Sequence, residues 1–233
     1  MVTILCIIPA RSGSKGIKNK NIMDFNGKPL IAWSIEQAKK CNYDMKIIVS
    51  TDSQEYADIA MTYGAEIPFL RPKNISDDLS TDIEFIKHCV DWLKINEEYY
   101  CDIILQLRPT SPTRNVNDIN NALKLFIDNR DKYDSLRSVI PVEKSPYKMY
   151  SINNDELKPL FCEVNNIKEP YNQARQILPQ CYLHNGYIDI LNTDILTNNT
   201  ISGTKIYPFI MNMDNNIDID DKKDIPKYNE KSI

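Results

Sequence analysis

Between residues 3 and 142, short unbroken apolar runs alternate with stretches of helical periodicity, and this alternation restricts the fold more than any other feature. Thr3–Ile8 is a continuous apolar run ending at Pro9, the pattern of a strand buried on both faces. Pro29–Lys40 then reads as a helix, with Leu30, Trp33, Ile35 and Ala38 mainly on one side. Lys46–Ser50 is a second strand. Ser53 follows as the N-cap of a helix running to Tyr63 and closed by Gly64. Ile83–Lys94 is amphipathic, Asp102–Leu107 is a third buried strand, Val116–Ile127 a helix and Ser135–Val142 a fourth strand. Strand and helix in this order imply right-handed crossovers and a mainly parallel sheet. Such sheets hold ligands at the carboxyl ends of their strands, so the loops after the first three strands are the candidates for function.

The pattern changes at 143–180, which is rich in Lys, Pro, Asn and Tyr. Its embedded Tyr147, Met149, Tyr150, Leu160, Phe161 and Val164 argue for an ordered excursion rather than a linker, of the kind that reaches a neighbouring subunit. Regular structure resumes at Gly186–Leu191 and Lys205–Met211, and the tail beyond Asp221, interrupted by Pro226, is expected to fray. At 233 residues, 1–233 reads as a single domain carrying 143–180 as an insertion.

Composition excludes several classes. A formal charge of −4 argues against a nucleic-acid partner, yet leaves room for a local cationic site. The six cysteines are scattered without a C-x-x-C pair, which suits reduced thiols in a cytoplasmic protein and gives zinc no ligand cluster. The apolar run Val2–Ile8 is too short to span a membrane and lacks the flanks of a leader.

The loop after the first strand, Pro9 to Asn21, packs Arg11, Lys15, Lys18 and Lys20 around Gly13 and Gly16. Glycines let successive N–H groups turn inward on an anion, and the cations neutralise phosphate. A Gly/Lys loop can equally be solvated surface; its place directly after a buried strand favours phosphate. Neither a Walker loop nor G-x-G-x-x-G is present. Near the C-terminus, Asp218 and Asp220 alternate with Ile217 and Ile219. An extended segment there would aim both carboxylates one way, as an acidic edge or as a seat for a hard dication. Gln106 and Arg108 end the third strand facing the same cleft. His88 and His184 read as structural, and no serine has a His/Asp partner in the sequence, so covalent catalysis is not expected.

The loop sequence IPARSGSKGIKNKN resembles the N-terminal signature of the CMP–sialic acid synthetases, the acylneuraminate cytidylyltransferases. The resemblance continues through Asn26–Leu30, Ile48–Asp52, Leu70–Pro72, Ser76–Thr81, Arg108–Pro112, Ala174–Gln176, Asn185–Gly186 and Ile217–Asp220, in order along nearly the whole chain. It implies an α/β fold, a Rossmann-like mainly parallel sheet flanked by helices, of the nucleotide-diphospho-sugar transferase type. It also implies a homodimer in which the 143–180 arm crosses to the other subunit's site. By the same resemblance, Arg11, Ser14, Lys15, Lys20 and Asn21 cradle the triphosphate of CTP. Arg71, Ser80 and Thr81 hold the nucleobase, with Asp78 fixing the loop or joining them. Asp218 and Asp220 bind Mg²⁺, and Lys148, Arg175, Gln106, Arg108, Asn185 and Gly186 receive an acidic sugar. Arg11, Lys15, Lys20, Asp218 and Asp220 carry the chemistry, an in-line attack of the anomeric hydroxyl on the α-phosphorus. Two departures fall near the sugar: Arg108 stands where the family generally has Gln, and Leu183-His184 where many have Arg-Pro. Neuraminate, legionaminate and pseudaminate therefore all remain open as the sugar. Transfer involving another base or a sugar 1-phosphate, and a non-catalytic nucleotide binder, are the rival readings.

Overall fold

In the computed structural model, residues 2–212 and 218–224 are described. The apolar runs form a six-stranded sheet. Its strands are β1 (Ile4–Pro9), β2 (Met45–Ser50), β3 (Ile103–Gln106), β4 (Ser135–Pro141), β5 (Tyr182–Asn192) and β6 (Ile206–Ile210), in spatial order β6-β4-β5-β3-β1-β2. β1 lies parallel between β2 and β3, and β6 runs parallel to β4. Only β5 is reversed, antiparallel to both β3 and β4. The expected mainly parallel sheet is therefore present, with one inverted strand that the alternation of runs did not signal.

Side chains alternate across the sheet because the strand period is two. Ile4, Cys6 and Ile8 of β1 and Ile103 and Leu105 of β3 face a layer made by α1 (Leu30–Lys39), α2 (Gln54–Thr62) and α4 (Val116–Asn129). Leu5, Ile7, Ile48 and Ile104 face the opposite way, onto Phe85, Ile86, Cys89 and Leu93 of α3 (Asp82–Asn96). Central β1 is thus buried on both sides, which is why it reads as an unbroken apolar run. Local signals set the helix starts. The Ser53 hydroxyl accepts from the Tyr56 N–H at α2, and Thr81 with Glu84 forms a capping box at α3, each cap contributing about 1 kcal/mol.

The excursion is ordered. Tyr150–Asn153 pairs with Glu156–Pro159, and Glu163–Val164 with Ile167–Lys168. Its asparagines supply the turns: Asn154-Asp155 and Asn165-Asn166 all have positive φ, the conformation a tight two-residue hairpin loop needs. Met149, Ile152, Leu157, Leu160 and Phe161 remain exposed on it. Ile217 and the tail from residue 225 lie outside the described residues. Among the described residues no helix is long and apolar enough to cross a membrane.

Candidate active site

At the carboxyl end of β1, β2 and β3 a cleft of about 400 Å³ opens between the first loop, the start of α3, the segment after β3 and the acidic segment near residue 220. Arg11, Ser14, Lys15, Gly16, Lys20 and Asn21 line one side, Arg71, Ser80, Asp82 and Phe85 another, and Arg108, Thr110, Asp220 and Asp221 the rest.

The first loop is held from beneath. The Ser12 N–H and hydroxyl both donate to Asp52, at 2.8 and 2.9 Å, and the buried Asn21 amide donates to the Arg11 carbonyl at 3.0 Å. Asn21 therefore shapes the loop as well as lining the cleft. Gly16 meets the acidic segment directly. A Cβ at Gly16 would lie 2.8 Å from the Asp220 carbonyl oxygen, so only glycine allows this approach. The Lys20 ammonium closes the same junction, 2.9 Å from the Asp220 carboxylate. The cationic turn and the acidic segment thus meet across one cleft.

Asp78 bridges the two most forward cations, one oxygen 2.8 Å from Arg11 and the other 2.6 Å from Lys15. These ion pairs hold its carboxyl below the usual range. A carboxylate spread over two cations occupies the arrangement that phosphate oxygens would use.

Arg71 is buried, its Nε 3.0 Å from the Ser50 hydroxyl and its guanidinium 4.7 Å above the Phe85 ring. Burial lowers its pKa to about 10 despite nearby Asp52 and Asp82. Ser80 lines the cleft beside it, whereas Thr81 is spent on capping α3 and lines no part of the cleft.

Ile219 is fully buried among Ile17, Phe25 and Leu30, which fixes the residues on either side of it. Asp218 is half-buried, is hydrogen-bonded to the cleft residue Thr110 and does not itself line the cleft, while Asp220 is exposed and does. Burial, with the Asp220 carboxylate adding to it, raises the Asp218 pKa. Its Oδ1 is buried with no hydrogen-bond partner in the protein. An orphaned, hard carboxylate oxygen next to a second carboxylate fits Mg²⁺. Among the described residues no three His, Cys, Asp or Glu side chains converge on one point, so the other ligands of such an ion would be phosphate oxygens and water, as Mg²⁺ prefers. Asp221 also lines the cleft.

The residues expected to hold the sugar separate. Arg108 lines the cleft, but both its ends are already paired, with Asp82 at 2.6 Å and Asp189 at 2.5 Å. These carboxylates overcome burial and raise its pKa. Gln106 is buried beneath it, donating to Asp82 at 2.9 Å. Asn185 is buried away from the cleft and accepts from the Ser138 hydroxyl at 2.6 Å, so it fixes the turn of β5. Gly186 has a φ of +64°, and a Cβ there would lie 3.3 Å from Arg108. Lys148 and Arg175 stand on the excursion, outside this cleft; Lys148 donates to the Gln173 carbonyl at 2.6 Å. His184 does have a carboxylate partner, Asp189 at 2.7 Å, which the sequence did not reveal because a β-bulge intervenes.

Asp52, Asp82, Thr110, Arg114 and Asp189 were not singled out from sequence. Asp52 closes the Ile48–Asp52 strand motif, and Asp82 is the first residue of a capped helix, so both had a positional signal. Arg114 is fully buried, its N–H groups satisfied by Tyr187 and Arg108 carbonyls, Ser34 and Gln37. Burial lowers its pKa to about 10, only partly offset by Tyr187, Cys6 and Asp189. It pins the 108–114 segment that forms the cleft's far wall.

A glycine-and-cation turn after the first strand of a mainly parallel sheet, facing paired acids, defines a nucleotide-handling α/β enzyme. The cytidylyltransferase family profile matches residues 5–179, and the chain belongs to that family. It is 36% identical to an N-acylneuraminate cytidylyltransferase of Escherichia coli over 95% of this chain and 50% of that one. It is 34% identical to a CMP-N,N'-diacetyllegionaminic acid synthase of Campylobacter jejuni, over 96% of this chain and 92% of the relative. Among solved structures, a CMP:2-keto-3-deoxy-manno-octonic acid synthetase in complex with CTP superposes with a TM-score of 0.68, covering 97% of this chain and 96% of that one at 17% identity. That last likeness concerns the fold. The chain is a nucleotidyltransferase of the acylneuraminate cytidylyltransferase type.

Proposed function

We propose that this enzyme transfers CMP from CTP to the anomeric hydroxyl of a nonulosonic, sialic-acid-like sugar acid, releasing pyrophosphate with Mg²⁺ as cofactor. The observation that carries the reading is the junction of Gly16 and Lys20 with Asp220, which makes one cleft of the cationic turn and the acid pair. In that cleft Arg11, Ser14, Lys15 and Lys20 receive the triphosphate and neutralise charge on the departing pyrophosphate. Arg71 and Ser80 offer donors and an acceptor to the cytosine edge, and Phe85 keeps the guanidinium flat. Asp218 and Asp220 hold the cation, which when bound withdraws charge from the α-phosphate. The acceptor sugar enters beside Asp220 and Arg108, and its carboxylate meets Lys148 and Arg175 of a second subunit. The exposed apolar arm supports that homodimer, since Ile152 and Leu157 are 76% and 66% exposed.

Pyrophosphate release tests the reading, using CTP, UTP and GTP against a panel of nonulosonic acids. CTP-specific release with at least one acid is expected; release with UTP or GTP alone, or with none, contradicts it. Ultracentrifugation of the same protein is expected to give a dimer, and a strict monomer at working concentration defeats the shared site.

A further inference from the structure

Resting on the acceptor assignment above, we propose that Asp189 is a positioning and specificity-determining residue. It holds Arg108 as a donor at the acceptor end of the cleft, where the guanidinium selects a neutral oxygen substituent of the sugar, not its carboxylate.

Asp189 is 1% exposed, in the C-terminal half of β5. Its Oδ2 meets Arg108 at 2.5 Å, and its Oδ1 meets Arg137 at 2.9 Å and His184 at 2.7 Å. Burial alone would raise its pKa; the hydrogen bond from His184 and the two guanidiniums outweigh that and hold it well below the ordinary carboxylate range. The backbone makes this gathering possible. Asp189 lies opposite Gln106 on β3 and Arg137 on β4, so all three point to one face. His184, five residues earlier, would face the other way on a regular strand. The register shift between His184 and Asp189 returns it to the same face, with Gly186 at φ +64° inside the bulge.

Charge decides what this floor recognises. Arg108 and Arg137 balance Asp82 and Asp189, each ion pair being 2.9 Å or shorter. Arg108 therefore lines the cleft with its charge already neutralised. A carboxylate brought here would be repelled by the two fixed acids about as strongly as it is drawn to the two arginines. A hydroxyl or acylamino oxygen costs no such repulsion and can accept the N–H donors that Arg108 has left. Truncating Asp189 removes the clamp and frees the guanidinium to swing.

The test is steady-state kinetics on full-length protein, with CTP and three nonulosonic acids that differ at one ring substituent: acylamino, hydroxyl or hydrogen. The variants are Asp189→Asn, Arg108→Gln and the double variant. For Asp189→Asn the KM for the acylamino and hydroxyl sugars is expected to rise about tenfold or more. The KM for CTP stays within twofold of wild type, and the preference over the hydrogen analogue is lost. In the Arg108→Gln background, Asp189→Asn is expected to add less than twofold, because the two act as one unit. Loss of discrimination confined to the hydroxyl or to the acylamino sugar tells which oxygen is read. If Asp189→Asn does not fold, the neutral double variant serves. Its loss of sugar discrimination with an unchanged CTP KM supports the proposal, and wild-type discrimination overturns it. Equal rises in both KM values mark a merely structural role and also overturn it. A wild-type enzyme with no CTP-dependent turnover on any acid overturns the functional reading itself, and this inference with it.

Discussion

Two charged regions of the cleft are built in opposite ways. At its mouth, Arg11 and Lys15 share Asp78 through contacts open to solvent, with Lys15 79% exposed. At its floor, Arg108 is locked between Asp82 and a fully buried Asp189. Exposed pairs are weak, screened by salt and exchangeable. Buried, multiply bonded ones are not, because breaking them strands a charge in a poor solvent. The contrast teaches that the same residue types perform two tasks. Under the proposed function, the cations that grip a transient polyphosphate have a displaceable partner, and the cation that shapes the pocket has a permanent one.

The largest effect is expected at the junction that joins the regions. Asp220→Ala should lower turnover about a hundredfold or more, with thermal unfolding and CD unchanged, since the side chain is exposed. Lys15→Ala should do the same. Loss of fold in either would place these residues with the structural cluster. Next, Asp189→Ala should destabilise the protein by about 3–5 kcal/mol in denaturant titrations, by stripping Arg137 of its carboxylate and Arg108 of one of its two. A change under 1 kcal/mol would erase the distinction between floor and mouth.

The floor should also write itself into the acid limb of stability. Asp189 has a depressed pKa in the folded chain, so the unfolded chain binds the proton more readily. Its contribution is complete above the ordinary carboxylate pKa of about 3.9 and is lost as pH falls below that toward the folded value. Asp189→Asn should flatten this part of the stability–pH curve; an unaltered curve contradicts the assignment. The smallest effect belongs to the mouth. Asp78→Asn should tighten CTP binding by a factor of about two to five at low salt, fading as ionic strength rises. Calorimetry checks it, and weaker binding would mean that Asp78 holds nucleotide instead of yielding to it.

Much of the frame was legible because short-range physics sets it. Continuous apolar runs marked the doubly buried strands, Ser53 marked the start of α2, and the glycine and cation spacing after β1 marked the loop that lines the cleft. What escaped depends on pairing between distant segments. Nothing local says that β5 inserts antiparallel between β3 and β4, and only that insertion places Asp189 beside Arg108. The pairing of His184 with Asp189 escaped because a bulge changes which face His184 shares. Thr81 and Asn185, expected to touch substrate, cap a helix and brace a buried turn instead, uses open to small polar residues anywhere. Lys148 and Arg175 lie outside the cleft, on an arm whose Ile152 and Leu157 are exposed; under the proposed function they reach a site only in a second copy.

Pyrophosphate release from CTP in the presence of a nonulosonic acid and Mg²⁺, compared between wild type and Asp220→Ala, tests the shared cleft most directly. Wild-type release that needs both the acid and the metal, and that collapses in the variant while CTP still binds, is the expected result. Release that persists in Asp220→Ala at wild-type rate would contradict a single site built from the cationic turn and the acid pair.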